Sequence, residues 1–60
     1  MNENLPEDAV MLMSMVNMKL RDQYASLDEL CEDMHIDRSW LEEKLAAAGF
    51  EYSKEQNKFW

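Results

Sequence analysis

The chain has 60 residues, which is enough for one small domain with a modest hydrophobic core. Its 13 acidic and 6 basic residues give a net charge of -7, which opposes binding to phosphate backbones and to anionic membranes. A single cysteine and a single histidine exclude an internal disulfide and a four-ligand structural zinc site, so we expect no metal and no cofactor. A partner subunit remains the common way to stabilise so small a scaffold.

The first predicted element is a helix over residues 6–24. Pro6 suits the first turn of a helix, where its missing N–H group costs nothing. Apolar side chains recur at steps of three and four and form one stripe, which predicts the side that faces the core. The stripe consists of Ala9, Leu12, Met13, Val16, Leu20 and Tyr24.

A second apolar set, Met11, Met15 and Met18, lies on a neighbouring face of the same helix. So wide an apolar arc has two interpretations: a helix buried between the others, or an interface with a protein partner or a second copy. Methionine side chains are flexible and adapt to irregular contacts. Both interpretations stay open from the sequence, and the three methionines are the candidate partner interface.

A second helix is predicted over residues 27–34 and a third over residues 38–48. The letters "SLDE" form a capping box, in which the Ser26 hydroxyl accepts from the Glu29 N–H and the Glu29 side chain reaches back to the Ser26 N–H. The letters "HID" form the turn between the two helices, and Asp37 is a good N-cap for the third helix.

The third helix is expected to end in "AAAG", with Gly49 in the left-handed C′ position. Ile36 is expected to fill the corner before this helix. One side of the helix carries Trp40, Leu41, Lys44, Leu45 and Ala48.

Residues 50–60 change to a two-residue period, which predicts a β-hairpin. The letters "SKEQN" supply polar turn residues, and Asn57 tolerates a positive φ. An isolated two-stranded hairpin is unstable, so its aromatic face must pack on the helices. We therefore expect Phe50, Tyr52 and Phe59 to contact the core.

These elements predict a mostly α fold with a small β-hairpin, of the α+β class, as a single domain over residues 1–60. Three helices in a helix-turn-helix-like arrangement precede a C-terminal two-stranded hairpin, which is the element order of the second half of a winged helix. The expected core consists of Leu12, Val16, Leu20, Leu27, Leu30, Ile36, Leu41, Leu45, Phe50 and Tyr52.

No catalytic motif is present in the sequence. His35 has no nucleophile placed beside it, and we expect a surface histidine. Cys31 falls on the apolar face of the second helix, where a cysteine acts as a small hydrophobe. The carboxylates around that helix lack the EF-hand spacing and indicate a solvated acidic face. We expect no enzymatic activity and no small-molecule substrate.

The helix-turn-helix outline makes nucleic-acid binding the alternative function. The exposed N-terminal residues of the third helix would enter a DNA groove. The candidate contacts are Arg38 and Ser39 of that helix, with Lys54 and Lys58 of the hairpin. The basic residues are scattered, however, and a DNA reader needs phosphate contacts to position it. Such a domain would bind only as a dimer or with a basic partner.

Four pieces of the sequence carry a family resemblance: "LPEDAVML", "NMKLRDQYASLDELCED", "IDRSWLEEKL" and "GFEYSKEQNKF". Together they resemble the domain-of-unknown-function 4250 family of short bacterial proteins, over Leu5 to Trp60. The resemblance implies a bacterial, cytoplasmic, independent domain, and it supplies no activity, catalytic residue, cofactor or partner. The chain also lacks the roughly 18 apolar residues of a membrane span and the pattern of a signal peptide.

We therefore expect a small acidic cytoplasmic domain that serves as a protein-interaction or self-association module. It would act as a homodimer or with an unidentified protein partner, and without contact to a membrane.

Overall fold

A computed structural model describes residues 5–60, which form three helices followed by an antiparallel hairpin. The elements are α1 (Ala9–Asp22), α2 (Leu27–Met34), α3 (Arg38–Ala46), β1 (Tyr52–Ser53) and β2 (Lys58–Phe59). The predicted α+β class, with three helices and a C-terminal hairpin, is confirmed. Residues 1–4, which the predicted single domain includes, lie outside the described range.

Helix α1 is shorter at both ends than the predicted helix over residues 6–24. Asp8 is its N-cap, and the Asp8 carboxylate accepts hydrogen bonds from two backbone N–H groups of the first turn. Pro6 precedes this cap, so its predicted place inside the first turn is wrong. At the other end the backbone N–H of Tyr24 donates to the carbonyl of Lys19, which closes the helix before residue 24.

Helix α2 begins and ends where the sequence predicts. The Ser26 hydroxyl accepts from the backbone N–H of Glu29 at 3.2 Å, as the capping box requires. The Glu29 carboxylate, however, accepts from the N–H of Ala25 at 3.1 Å rather than from that of Ser26, so the return bond reaches one residue further back. His35 ends the helix in the left-handed conformation, with φ 59°.

Helix α3 has the predicted cap at each end, although its regular part stops at Ala46 instead of residue 48. Asp37 is the N-cap and accepts from the backbone N–H of Ser39 at 2.9 Å. The last turn is a Schellman motif, in which Gly49, with φ 95°, donates to Ala46 and the next N–H donates to Leu45. The left-handed position predicted for Gly49 is confirmed.

Eight of the ten predicted core residues are buried; the exceptions are Phe50 and Tyr52, which are half-buried. Phe59 is fully buried, and Phe50 and Tyr52 pack against the core, so the predicted contact of these three hairpin residues with the core is confirmed. Helix α2 adds Cys31 to the core. Trp40, which the residue pattern puts on the same side of α3 as Leu41 and Leu45, is exposed, and its ring lies beside the Lys44 ammonium at 6.0 Å.

The hairpin pairs Tyr52 with Phe59, and the centroids of their rings are 5.5 Å apart. Asn57 adopts φ 55° in the turn, as its residue type predicts. The Asn57 Nδ2 donates to the carbonyl of Leu20 in α1 and to that of Tyr24 just after α1, and the Asn57 Oδ1 accepts from the Tyr52 hydroxyl. The Tyr52 hydroxyl in turn accepts from the backbone N–H of Leu27 at 3.3 Å. This network joins the hairpin to the first two helices.

Candidate interaction surface

The outer face of α1 is the side of this helix opposite the core. Leu12, Val16 and Leu20 are buried on the inner side. On the outer side the exposed fractions are 54% for Val10, 62% for Met11 and 53% for Met18. Large apolar side chains at such exposure, grouped on one helix, are typical of a contact surface. We use the name "outer face" for Val10, Met11, Ser14 and Met18.

The predicted methionine stripe is divided between two environments. Met11 and Met18 belong to the outer face, whereas Met15 is half-buried and packs against the core. Val10 was not among the candidate residues, although it lies one helical turn before Ser14 and two before Met18. This four-residue spacing could have predicted Val10 as part of the surface, but the prediction considered only the three methionines.

The outer face carries no carboxylate of its own. From Ala9 to Arg21 the chain has no acidic residue, although 13 of its 60 residues are acidic. Glu7 and Asp8 lie at the N-terminal end of α1, and Lys19 and Arg21 lie towards its C-terminal end. The helix therefore has an apolar middle, with two carboxylates just before its first residue and two basic residues beside Asp22 near its last.

A shallow groove runs beside the outer face, between α1 and the hairpin turn. Its walls are formed by Met13, Ser14, Asn17, Met18, Arg21, Asn57 and Lys58. The charged residues among these are both basic. The Arg21 guanidinium contacts Asp22 at 3.0 Å, which lowers the pKa of Asp22. The Lys58 ammonium lies 5.0 Å from the centre of the Trp60 ring, on the exposed side of the hairpin.

Arg38, the first candidate nucleic-acid contact, already has partners within the chain. Its guanidinium contacts Asp28 at 2.6 Å and Glu42 at 3.1 Å, and it lies 5.6 Å from the centre of the Tyr52 ring. The hydrogen bonds that Arg38 donates to these carboxylates, first of all to Asp28, raise the pKa of Arg38. Two carboxylates around one guanidinium leave no excess positive charge for a phosphate.

The other nucleic-acid candidates do not form one basic patch. Lys54 lines the same groove as Arg38, but Asp28, Glu42 and Glu51 line it too. Lys58 lines the separate groove beside α1. Ser39 is exposed at the start of α3.

Cys31 and Tyr24 are reactive side chains outside these grooves, and both have a raised pKa. Burial raises the pKa of the Cys31 thiol, which keeps it protonated. The Tyr24 hydroxyl donates to Asp33, and this bond raises the pKa of Tyr24. Within residues 5–60, no group of three or more His, Cys, Asp or Glu side chains is placed to hold a metal ion.

Fold and surface together define a small α+β domain of three helices and a docked hairpin, with one apolar helix face in solvent. The family model described as Domain of unknown function (DUF4250) matches residues 6–59, so the chain belongs to this family. Comparison with curated proteins and with solved structures finds no match. None of the helices in the described part of the chain is long and apolar enough to cross a membrane.

Proposed function

We propose that this domain is a protein-interaction module that contacts its partner through the outer face of α1 and has no catalytic activity of its own. The exposure of Val10, Met11 and Met18 on one helix face carries the proposal. Each side chain is about half exposed, so covering it would contribute roughly 1 kcal/mol to association. The bacterial cytoplasm is the proposed setting, on the family resemblance.

Nucleic-acid binding is the weaker proposal. Its principal contact, Arg38, lies between Asp28 and Glu42, and a phosphate would have to displace both carboxylates. The net charge of -7 adds repulsion over longer distances. A partner that approaches the outer face of α1 does not have to displace these two carboxylates.

Site-specific photo-crosslinking in cells tests the proposed function. A photoreactive amino acid replaces Met18 on the outer face, and in a matched control it replaces Glu43, which is exposed on α3. We expect a discrete protein adduct from position 18 that is absent from position 43. A Met11→Glu substitution in the same chain should abolish the adduct. Equal adducts from both positions, or none from position 18, would refute the proposal.

A further inference from the structure

We propose that the partner on the outer face of α1 is a second copy of this chain, bound with the two α1 helices antiparallel about a two-fold axis near Ser14. This inference rests on the proposed function and names the partner for the same surface. It follows from the distribution of charge along α1, from the spacing of its exposed residues and from the basic groove beside it.

The distribution of charge identifies α1 as the place where two acidic copies can meet. Two chains of charge -7 repel each other over most of their surfaces. Repulsion is smallest where carboxylates are missing, and the stretch from Ala9 to Arg21 has none. Of the five large apolar side chains exposed in the described residues, three lie in this same stretch, namely Val10, Met11 and Met18, so attraction is available where repulsion is least.

The spacing of the residues makes the surface self-complementary in the antiparallel orientation. Ser14 lies seven residues from both Glu7 and Arg21, and four residues from both Val10 and Met18. Val10, Ser14, Met18 and Arg21 lie within α1 about one helical turn apart and follow one side of the helix, whereas Glu7 lies two residues before its first residue. Across a two-fold axis at Ser14, Val10 of one copy faces Met18 of the other, and the segment with Glu7 that precedes α1 lies beside the end of the other α1 that carries Arg21. A parallel arrangement would instead bring Glu7 to Glu7 and Arg21 to Arg21.

The groove beside α1 supports the same orientation. Arg21 and Lys58 are its charged lining residues, and both are basic. In the antiparallel pair this groove receives the N-terminal end of the other α1, which carries Glu7 and Asp8. The ion pair of Arg21 with Asp22 is exposed, and exposed pairs contribute little, so Arg21 can contact a carboxylate of the second copy as well. The small Ser14 side chain lets the two helices approach closely at the axis.

The size of the contact predicts a weak and reversible dimer. Helix α1 has 14 residues, which corresponds to a length of about 21 Å. A single helix pair of this length buries less than the ~800 Å² per partner of a standard interface. We therefore expect a monomer–dimer equilibrium in the micromolar range that depends on salt, because the end pairs are exposed.

Sedimentation equilibrium on the purified chain at low salt, with charge-reversed variants, tests this arrangement. Arg21→Glu and Glu7→Arg should each weaken dimerisation about tenfold, because every reversal acts twice in a symmetric dimer. The double variant Glu7→Arg/Arg21→Glu should return to within about threefold of the wild type. Lys54→Glu and Glu55→Arg make the same changes of net charge at exposed hairpin positions and should leave the dimer unchanged. Thermal melts confirm that each variant is folded.

Three results would overturn the inference. If the wild type stays monomeric at all concentrations, the second copy is not the partner. In that case a photo-crosslinked adduct between position 18 and another protein would still support the proposed function. If the double variant is as weak as the single ones, the helices are not antiparallel. If the control variants weaken the dimer as much as Arg21→Glu, net charge alone governs association.

Discussion

The side-chain amide of Asn17 makes both hydrogen bonds that the backbone of Phe59 directs away from the hairpin. The Asn17 Nδ2 donates to the Phe59 carbonyl at 2.9 Å, and its Oδ1 accepts from the Phe59 N–H at 2.8 Å. One side-chain amide therefore makes the pair of backbone hydrogen bonds with Phe59 that a third strand beside β2 would make. It fixes the buried Phe59 against α1 across 42 residues of sequence.

Replacing Asn17 with alanine should destabilise the domain by about 1–3 kcal/mol, because both backbone groups of Phe59 lose their partner in a half-buried place. The better helix propensity of alanine, roughly 0.6 kcal/mol, offsets only part of this loss. Urea unfolding measures the change, with Ser14→Ala on the exposed side of α1 as the control. A variant as stable as that control would show that the amide bonds are unimportant.

Three of the residues that cap helices were predicted from the sequence, since capping depends on atoms a few residues apart, although the Asp8 cap of α1 was missed. Ser26, Asp37 and Gly49 all have the predicted roles. The partners of Asn17 and Asn57 were not predictable, because each amide bonds to backbone more than 30 residues away. An asparagine within a helix has no local pattern that indicates such a bond.

The candidate surface was predictable in part for a similar reason. Helical spacing located the apolar arc of α1, but it could not decide which methionines the hairpin and α3 would leave in solvent. The structure divides the arc between half-buried Met15 and exposed Met11 and Met18. The engagement of Arg38 with Asp28 also depends on how α2 and α3 pack, which the pattern of residues does not specify.

Tyr52→Phe isolates the contribution of the hydroxyl that links the hairpin to α2. The hydroxyl donates to Asn57 at 2.6 Å and accepts from the Leu27 N–H. Its removal should cost about 1–2 kcal/mol while the ring keeps its contact with Phe59. Chemical denaturation gives the value, and Tyr24→Phe, which removes an exposed hydroxyl, is the matched control. Equal losses in the two variants would contradict a specific role for Tyr52.

Leu45→Ala should be among the most damaging single substitutions in the chain. Leu45 is fully buried, and its backbone carbonyl also anchors the end of α3. Removing a buried leucine costs about 2–5 kcal/mol, enough to unfold a domain this small at room temperature. Far-ultraviolet circular dichroism during heating shows the loss, and a melting curve like that of the wild type would mean that the core is wrongly assigned.

The free energy of unfolding should decrease at alkaline pH because the Cys31 thiol ionises. Burial raises the pKa of this thiol in the folded state above the ordinary value of 9.0. The protonated thiol therefore favours the folded state fully below pH 9, and this contribution disappears as the pH rises through the higher folded-state pKa. Cys31→Ala lacks this dependence. The difference in unfolding free energy between wild type and variant should shrink from pH 7 to pH 10, whereas a constant difference would exclude the mechanism.

The most direct test of the outer face as an interaction surface pairs sedimentation velocity with urea unfolding on Met11→Glu/Met18→Glu and the wild type. Both side chains are more than half exposed, so their replacement should change the unfolding free energy by no more than about 0.5 kcal/mol. Over the same concentrations the wild type should associate and the variant should not. A large loss of stability would place the two methionines in the core, and unchanged association would show that the outer face of α1 is not the contact surface.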